Sequence, residues 1–150
     1  MIIKIESEAE MRDFGVKLGA LLNGGELIEL VGDIGAGKTT LARGIAVGFG
    51  VDEDIQSPSF TINRLYEARD NLMMAHYDFY RLSQAGVMSD ELYETINIPS
   101  NVTIIEWGQI VGGILPNDRL TISIDPISES SRCLSLEAHG KKSGQLKAKL

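Results

Sequence analysis

The most informative segment of this sequence is Gly32-Asp33-Ile34-Gly35-Ala36-Gly37-Lys38-Thr39, which indicates the class of fold. It fits the phosphate-loop pattern G-x-x-x-x-G-K-[ST] at every fixed position. Residues 27–31 (LIELV) predict a buried strand before it, and residues 40–49 (TLARGIAVGF) place apolar side chains at a helical spacing after it. Strand, glycine loop and helix are the context in which this pattern holds nucleotide phosphates, so a glycine-rich turn without a ligand is the weaker interpretation.

Each part of this phosphate loop, residues 32–39, has a predicted role. The glycines let backbone N–H groups turn onto phosphate oxygens, and the helix N-terminus adds partial positive charge beneath them. Lys38 would reach the β- and γ-phosphates, and the Thr39 hydroxyl would take one position on Mg²⁺. The predicted nucleotide-binding residues of the loop are Gly32, Asp33, Gly35, Ala36, Gly37, Lys38, Thr39 and Thr40.

The length and composition of the chain indicate one globular domain. Its 150 residues are 43% hydrophobic and 23% charged, which is ordinary for a folded protein with a sizeable core. No apolar run approaches the ~20 residues of a membrane span, and the first residues lack the features of a signal peptide. Cys133 is the only cysteine, so an internal disulfide is impossible. We expect a cytoplasmic protein that does not associate with a membrane.

The charge of the chain is unevenly distributed. Four lysines and no acid lie in the last ten residues, so residues 1–140 carry 10 basic and 21 acidic groups, a net charge of −11. Such a body repels a nucleic-acid backbone, and DNA is not an expected partner. We expect residues 1–140 to form a single P-loop ATPase domain. Residues 141–150 are predicted to be a flexible basic tail, with contact to RNA as the weaker alternative.

The remaining patterns predict a three-layer α/β P-loop NTPase domain with a mixed, partly parallel central sheet. Ser7 opens a helix with a capping-box pattern, and glycines at 24 and 25 end it. The apolar run 102–105 is typical of a central parallel strand. The other predicted strands are an edge strand at 1–5, a pair at 60–66 and 72–77 joined by a turn at 69–71, and antiparallel strands at the far edge at 120–124 and 134–138.

Two acids follow predicted strands. Asp78 and Glu106 each stand at the carboxyl end of a strand, where ligands bind in sheets of this kind. Acids at strand ends also cap turns, but beside a phosphate loop they are candidates to hold Mg²⁺ and to orient water. We therefore predict Lys38, Asp78 and Glu106 as catalytic residues, and Thr39, Glu106 and Asp78 as metal ligands. Which acid has which role stays open.

Three neighbouring features are less decisive. Trp107 follows Glu106 and is predicted to stack on adenine, with a place in the core as the alternative. His76, on the strand that ends at Asp78, is more typical of a structural histidine. No motif places an arginine to act on the phosphates within the chain, and the N-K-x-D element of guanine-specific proteins does not occur.

Five short elements, in order, resemble the bacterial TsaE (YjeE) family of small ATPases. They are residues 32–40 (GDIGAGKTT), 57–60 (SPSF), 76–81 (HYDFYR), 105–107 (IEW) and 116–120 (PNDRL). The resemblance extends from about Ser7 to Leu136, and the five elements together are highly specific. Two departures are Ser59, where threonine is usual, and Met11, where the first helix of the family often has threonine.

The resemblance implies a function in tRNA modification. Proteins of this family bind ATP with Mg²⁺, hydrolyse it slowly when alone and act with the TsaD–TsaB complex. In that complex TsaD transfers a threonylcarbamoyl group to adenosine 37 of tRNAs that read ANN codons, so contact with tRNA would be indirect. Two alternatives stay open. One is a small-molecule kinase with Asp78 as the base, and the other is a nucleotide-dependent scaffold that does not need hydrolysis.

Overall fold

The fold is built on one mixed β-sheet, seen in a computed structural model that describes residues 1–58, 60–83 and 86–150. In these residues the sheet has seven strands in the order β1-β7-β6-β2-β5-β4-β3. The strands are β1 (Ile2–Ile5), β2 (Leu27–Val31), β3 (Asn63–Glu67), β4 (Met73–Asp78), β5 (Asn101–Glu106), β6 (Leu120–Pro126) and β7 (Arg132–Ala138).

The centre of the sheet is parallel and its edges are antiparallel. Strand β2 pairs in parallel with β5 on one side and β6 on the other, and β4 continues the parallel run beside β5. Strands β3, β7 and β1 join antiparallel. The predicted mixed sheet and the central position of residues 102–105 are therefore confirmed. The strands predicted at 120–124 and 134–138 do pair antiparallel, as β6 and β7. However, β6 is also parallel to β2, and the outer edge of the sheet is formed by β1 rather than by β7.

Helices cover both faces of the sheet. They are α1 (Glu8–Ala20), α2 (Lys38–Gly48), α3 (Val87–Ile96) and α4 (Lys141–Lys147). Helices α1 and α2 share one apolar core with the β2 face that carries Ile28 and Leu30, whereas Leu92 of α3 packs on the opposite face with Tyr77 and Ile105. This arrangement confirms the three layers. No helix in the described residues is long and apolar enough to cross a bilayer.

Helix α1 begins where the sequence predicts and lies in close backbone contact with α2. The Ser7 hydroxyl accepts a hydrogen bond from the Glu10 backbone N–H at 3.2 Å, which caps the helix. A Cβ added at Gly19 would lie 2.1 Å from the Ile45 carbonyl oxygen, and one at Gly48 would lie 2.0 Å from that of Val16. Only glycine permits so close an approach, and the close packing fixes α2 relative to the sheet.

The last ten residues do not form the predicted flexible tail. Seven of them, Lys141–Lys147, form helix α4, whose N-terminus is capped by Asp118, with carboxylate oxygens 2.8 and 2.9 Å from the backbone nitrogens of Lys142 and Ser143. Leu146 is buried, and Lys142 Nζ donates to the Gly24 carbonyl oxygen at 2.7 Å. The charge pattern misled the prediction because the cap comes from a residue more than twenty positions earlier.

The segment before β3 also differs from its prediction. The strand begins at Asn63 rather than at Phe60, which lies in a turn and is 85% exposed. Ser59, the departure from the family pattern, lies outside the described residues.

Candidate functional site

The phosphate loop connects the end of β2 to the start of α2 and requires its glycines. Gly35 has φ of +79° and Gly37 has φ of +114°, in the left-handed region that other residues rarely adopt. A Cβ at Gly37 would also lie 3.3 Å from Met11 Cε. Gly32 passes so close to β6 that a Cβ there would lie 2.9 Å from the Ile124 carbonyl oxygen. The backbone conformation and close packing of the loop therefore require glycine at these three positions.

The Lys38 side chain folds back onto the phosphate loop that precedes it. Its Nζ donates to the carbonyl oxygens of Gly32 at 2.7 Å and Asp33 at 2.9 Å, and the residue is only 7% exposed. Burial lowers the pKa of Lys38 below that of an ordinary lysine, although the carboxylates of Glu106, Asp78 and Asp33 oppose the shift. An added anion in this place would gain a partly desolvated cation as its partner.

The structure brings together the two acids that the sequence singles out. Asp78 ends β4 and Glu106 ends β5, and the parallel register pairs them directly. Glu106 is also paired with Leu30 of β2, one residue before the strand ends at the loop. Both side chains are buried, at 3% and 2% exposure. Two carboxylates in this position need a cation nearby, and Lys38 is one.

The two carboxylates differ in how they are held. Asp78 accepts from the Ser57 hydroxyl at 3.2 Å and from the Tyr80 backbone N–H at 2.9 Å. Glu106 Oε1 lies 3.6 Å from His76 Nε2, and among the described residues neither that oxygen nor either ring nitrogen has a hydrogen-bond partner. A buried carboxylate oxygen without a donor is suited to a metal ion, since oxygen is the ligand that Mg²⁺ prefers.

These side chains line a cleft of about 380 Å³. We call it the acid cleft, and its walls include Lys38, Thr39, Asp78, Glu106 and Trp107. The Trp107 ring centre is 4.6 Å from Lys38 Nζ, so the tryptophan lies at the lysine end of the phosphate loop. Its backbone is left-handed, with φ of +57°, a strained conformation for a large residue and one that turns the chain directly after β5.

A second cleft, of about 400 Å³, borders the same loop. We call it the Met11 cleft, and its walls include Ser7, Met11, Thr40 and Arg132 together with the loop residues 35–37. Unlike the acid cleft, it contains neither Asp78 nor Glu106. The loop thus borders two clefts, and the Met11 cleft carries charged side chains of its own, Glu8, Glu129 and Arg132.

Two arginines at these clefts were missed by sequence reasoning. Arg81 lines the acid cleft, and its guanidinium carbon is 4.5 Å from the centre of the Phe60 ring. Its only signal in the sequence is the H-x-D-x-Y-R element. Arg132 contacts the loop from β7, 96 residues away from Ala36 along the chain, so no local pattern could have indicated it.

A metal site made of protein side chains alone is not seen in the described ranges 1–58, 60–83 and 86–150, where no three His, Cys, Asp or Glu residues are grouped to hold an ion. The predicted magnesium site is of another kind. It needs only the Thr39 hydroxyl and one or two carboxylates, with phosphate oxygens and water as the other ligands.

Comparison with known proteins identifies the family. Residues 5–134 match the sequence profile described as "Threonylcarbamoyl adenosine biosynthesis protein TsaE". The tRNA threonylcarbamoyladenosine biosynthesis protein TsaE of Streptomyces coelicolor is 39% identical over 116 residues, which cover 77% of this chain and 78% of that protein. The protein of the same name in Treponema pallidum is 35% identical over 119 residues, 79% of this chain and 87% of that one.

A solved structure agrees with these relatives. The crystal structure of YdiB from Bacillus subtilis superposes with a TM-score of 0.80 at 28% identity, covering 99% of this chain and 91% of that chain. Together with the phosphate loop and the mixed sheet, these matches show that the chain has a P-loop NTPase fold and belongs to the TsaE family of threonylcarbamoyl adenosine biosynthesis proteins.

Proposed function

We propose that this chain is an ATP-binding and ATP-hydrolysing subunit of tRNA threonylcarbamoyladenosine synthesis that depends on Mg²⁺ and acts with the TsaD–TsaB complex. One observation carries the proposal. The register of β4 and β5 pairs Asp78 with Glu106 beside the phosphate loop, with Lys38 among them. A loop that binds phosphate has no need of two buried acids, whereas phosphoryl transfer needs groups that hold a metal ion and orient a nucleophile.

The nucleotide is proposed to lie along the loop, with its terminal phosphate in the acid cleft. Lys38 would exchange its contacts with the loop carbonyls for the β- and γ-phosphates. The base then has two possible places. The sequence predicts that it stacks on Trp107, but that ring lies at the lysine end of the loop. The Met11 cleft is the other place, because it borders residues 35–37 of the same loop and contains neither Asp78 nor Glu106.

The two acids have separate proposed roles. Glu106 offers a buried oxygen that has no donor in the described part of the chain, so we assign it to the metal shell together with the Thr39 hydroxyl. Asp78 is fixed by Ser57 and by the Tyr80 backbone, and a fixed carboxylate can accept a proton from the attacking water and hold it in line. When bound, Mg²⁺ neutralises charge that develops on the phosphoryl oxygens.

The surface at the mouth of the acid cleft is suited to binding a protein partner. Large apolar side chains are exposed there, with Ile34 at 73%, Phe60 at 85% and Tyr80 at 49% exposure. Exposed apolar patches next to a site are typical of interaction surfaces. A partner that covered Phe60 would also contact Arg81, which rests on the Phe60 ring. We propose this rim as the docking surface for the TsaD–TsaB complex.

The test is phosphate release by the purified chain. With ATP and Mg²⁺ we expect slow release of inorganic phosphate, loss of that release when Mg²⁺ is chelated, and no phosphorylated small molecule. A phosphorylated acceptor would instead favour the kinase alternative. If tRNA modification by the reconstituted proteins proceeds equally with ATP and with a non-hydrolysable analogue, the chain is a scaffold and the proposal is wrong.

A further inference from the structure

Arg132 joins two parts of the molecule that are far apart in sequence. It is the first residue of β7, and its Nε donates to the Ala36 carbonyl oxygen at 2.9 Å. Its Nη2 lies 3.4 Å from the Gly35 carbonyl oxygen. One guanidinium thus holds two consecutive carbonyls of the phosphate loop. Hydrogen bonds from a charged donor are about twice as strong as neutral ones, so this is a substantial restraint on a glycine-rich segment.

The contact with Ala36 has a consequence for the next peptide group. A trans peptide is planar, so the carbonyl of Ala36 and the N–H of Gly37 point in opposite directions. Since the carbonyl is held toward Arg132, the Gly37 N–H is directed away from it. Gly37 itself has φ of +114°, which glycine adopts without strain, so no side chain at this position holds the backbone in place.

The other side of the guanidinium is anchored to a turn between β6 and β7. Its Nη1 donates to the carbonyl oxygens of Ser128 and Ser131, each at 3.0 Å. That turn is itself closed by a 2.6 Å hydrogen bond between the Ser128 and Ser131 hydroxyls and by the Ser131 N–H to Ser128 Oγ at 3.1 Å. The arginine therefore links the phosphate loop to the turn between β6 and β7. A planar guanidinium can donate to several carbonyls on both sides at once, whereas the single ammonium group of a lysine cannot.

We propose that Arg132 is a positioning residue, which sets the Gly37 backbone N–H of the phosphate loop for the phosphates of the nucleotide. The proposal rests on the proposed nucleotide-binding function. It assigns to Arg132 no contact with the reacting atoms. Its contribution is preorganisation, because a loop already held in its binding conformation loses less entropy when the ligand binds.

The test compares ADP binding to the wild-type chain, Arg132→Ala, Arg132→Lys and Arg69→Ala by calorimetry with Mg²⁺. Arg69 is a matched control, because its guanidinium also donates to backbone carbonyls, those of Gly48 and Leu22 among them, but it lines neither cleft. The titrations are run at 10 °C, with the fold of each variant verified by circular dichroism, and are repeated with inorganic tripolyphosphate.

We expect the affinity of Arg132→Ala for ADP to fall about tenfold, and that of Arg132→Lys to fall about threefold or more. The affinity for tripolyphosphate, which has no base, should fall by a similar factor, since the effect is on the phosphates. Arg69→Ala should bind ADP as the wild type does. If Arg132→Ala does not fold, the Lys variant decides.

Three results would overturn the assignment. They are unchanged ADP affinity in a folded Arg132 variant, an unchanged affinity for tripolyphosphate beside a weakened affinity for ADP, or an equal loss of affinity in Arg69→Ala, which would make the effect one of general stability. A wild-type chain that fails to bind ADP is a different outcome. It refutes the proposed function itself and removes this inference with it.

Discussion

Lys38 and the two buried carboxylates balance one another in the acid cleft. Burial of the lysine lowers its pKa, and the carboxylates of Glu106 and Asp78 act against that shift. The same charges would repel an incoming phosphate if the lysine were absent. We therefore expect the affinity for nucleotide to depend on Lys38 more than on any exposed cation of the chain.

We expect Lys38→Ala to weaken ATP binding tenfold or more, because it removes a charge-assisted contact worth ~1.5–3 kcal/mol. Calorimetry measures the change. Lys4→Ala is the matched control, since Lys4 is an exposed lysine of β1 that pairs only with Glu6 at 2.7 Å among the described contacts. Equal ATP affinity in the two folded variants would refute the site.

Asp78→Asn should keep nucleotide binding and lower turnover by ~10²-fold, since the amide cannot accept a proton from water. Phosphate release under saturating ATP gives the turnover, and Asp13→Asn on the exposed face of α1 serves as the control. Glu106→Gln should instead raise the Mg²⁺ concentration that half-maximal activity requires. Wild-type turnover in Asp78→Asn would contradict the assigned role.

Trp107 reports where the base lies. If the base occupies the Met11 cleft, ADP and inorganic tripolyphosphate with Mg²⁺ should both change the emission of this sole tryptophan, and adenosine should not. A response to adenosine without one to tripolyphosphate would place adenine on the Trp107 ring, as the sequence predicts. In that case affinity should survive Trp107→Phe better than Trp107→Ala.

Helices α1 and α2 end at a shared arginine. The Arg69 guanidinium donates to the carbonyl oxygens of Gly48, at 2.9 Å, and of Ala20 and Leu22 near the ends of both helices. A cation at a helix C-terminus also interacts favourably with the helix dipole. Gly48 ends α2 at the opposite end from the phosphate loop, so this cap stabilises the packing of the two helices and lies outside both clefts.

Arg69→Ala should lower the free energy of unfolding by about 2 kcal/mol, because several carbonyls lose a charged donor. For a chain of this length the melting temperature would fall by roughly 4–8 °C. Arg64→Ala is the control. Its ion pair with Glu53 is long, at 3.8 Å, and exposed, so its loss should cost less than ~0.5 kcal/mol. Equal melting temperatures for the two variants would contradict the capping role.

The sequence predicts those elements whose determinants are local. Strand β2, the phosphate loop and α2 follow from adjacent residues, and the meeting of Asp78 with Glu106 follows because parallel strands end at one edge. Features that depend on distant partners escape it. Helix α4 requires the Asp118 cap, the direction of β6 depends on its pairing with β2, and Arg132 reaches the loop only in the folded chain.

The molecule as a whole is acidic, with a formal net charge of −7, and carries an apolar rim around its acid cleft. Charge of one sign increases the rate of encounter with a partner of opposite charge more than the final affinity. The apolar side chains Ile34, Phe60 and Tyr80 would then provide the buried contact. We therefore expect the partner to dock on the face of the chain that carries the acid cleft.

We expect the isolated chain to hydrolyse ATP well below the ~1–100 s⁻¹ of kinases, because a cation supplied in trans can be worth ~10³–10⁵ in rate. Adding the TsaD–TsaB complex should raise the rate, and high salt should reduce the effect. Phe60→Ser should weaken this stimulation and leave basal hydrolysis unchanged, since Phe60 lies outside the acid cleft wall. Fast hydrolysis by the isolated chain, unchanged when the TsaD–TsaB complex is added, would show that the partner does not complete the ATPase site.

We propose that ATP is hydrolysed in the acid cleft during tRNA modification, and Asp78→Asn separates this step from ATP binding. The measurement is threonylcarbamoylation of tRNA over many turnovers by the reconstituted proteins, with either the wild-type chain or Asp78→Asn under saturating ATP. We predict that modification continues with the wild type and is strongly reduced with the variant, although the variant still binds ATP. Modification at the wild-type rate with Asp78→Asn, while its ATP hydrolysis is lost, would contradict the account.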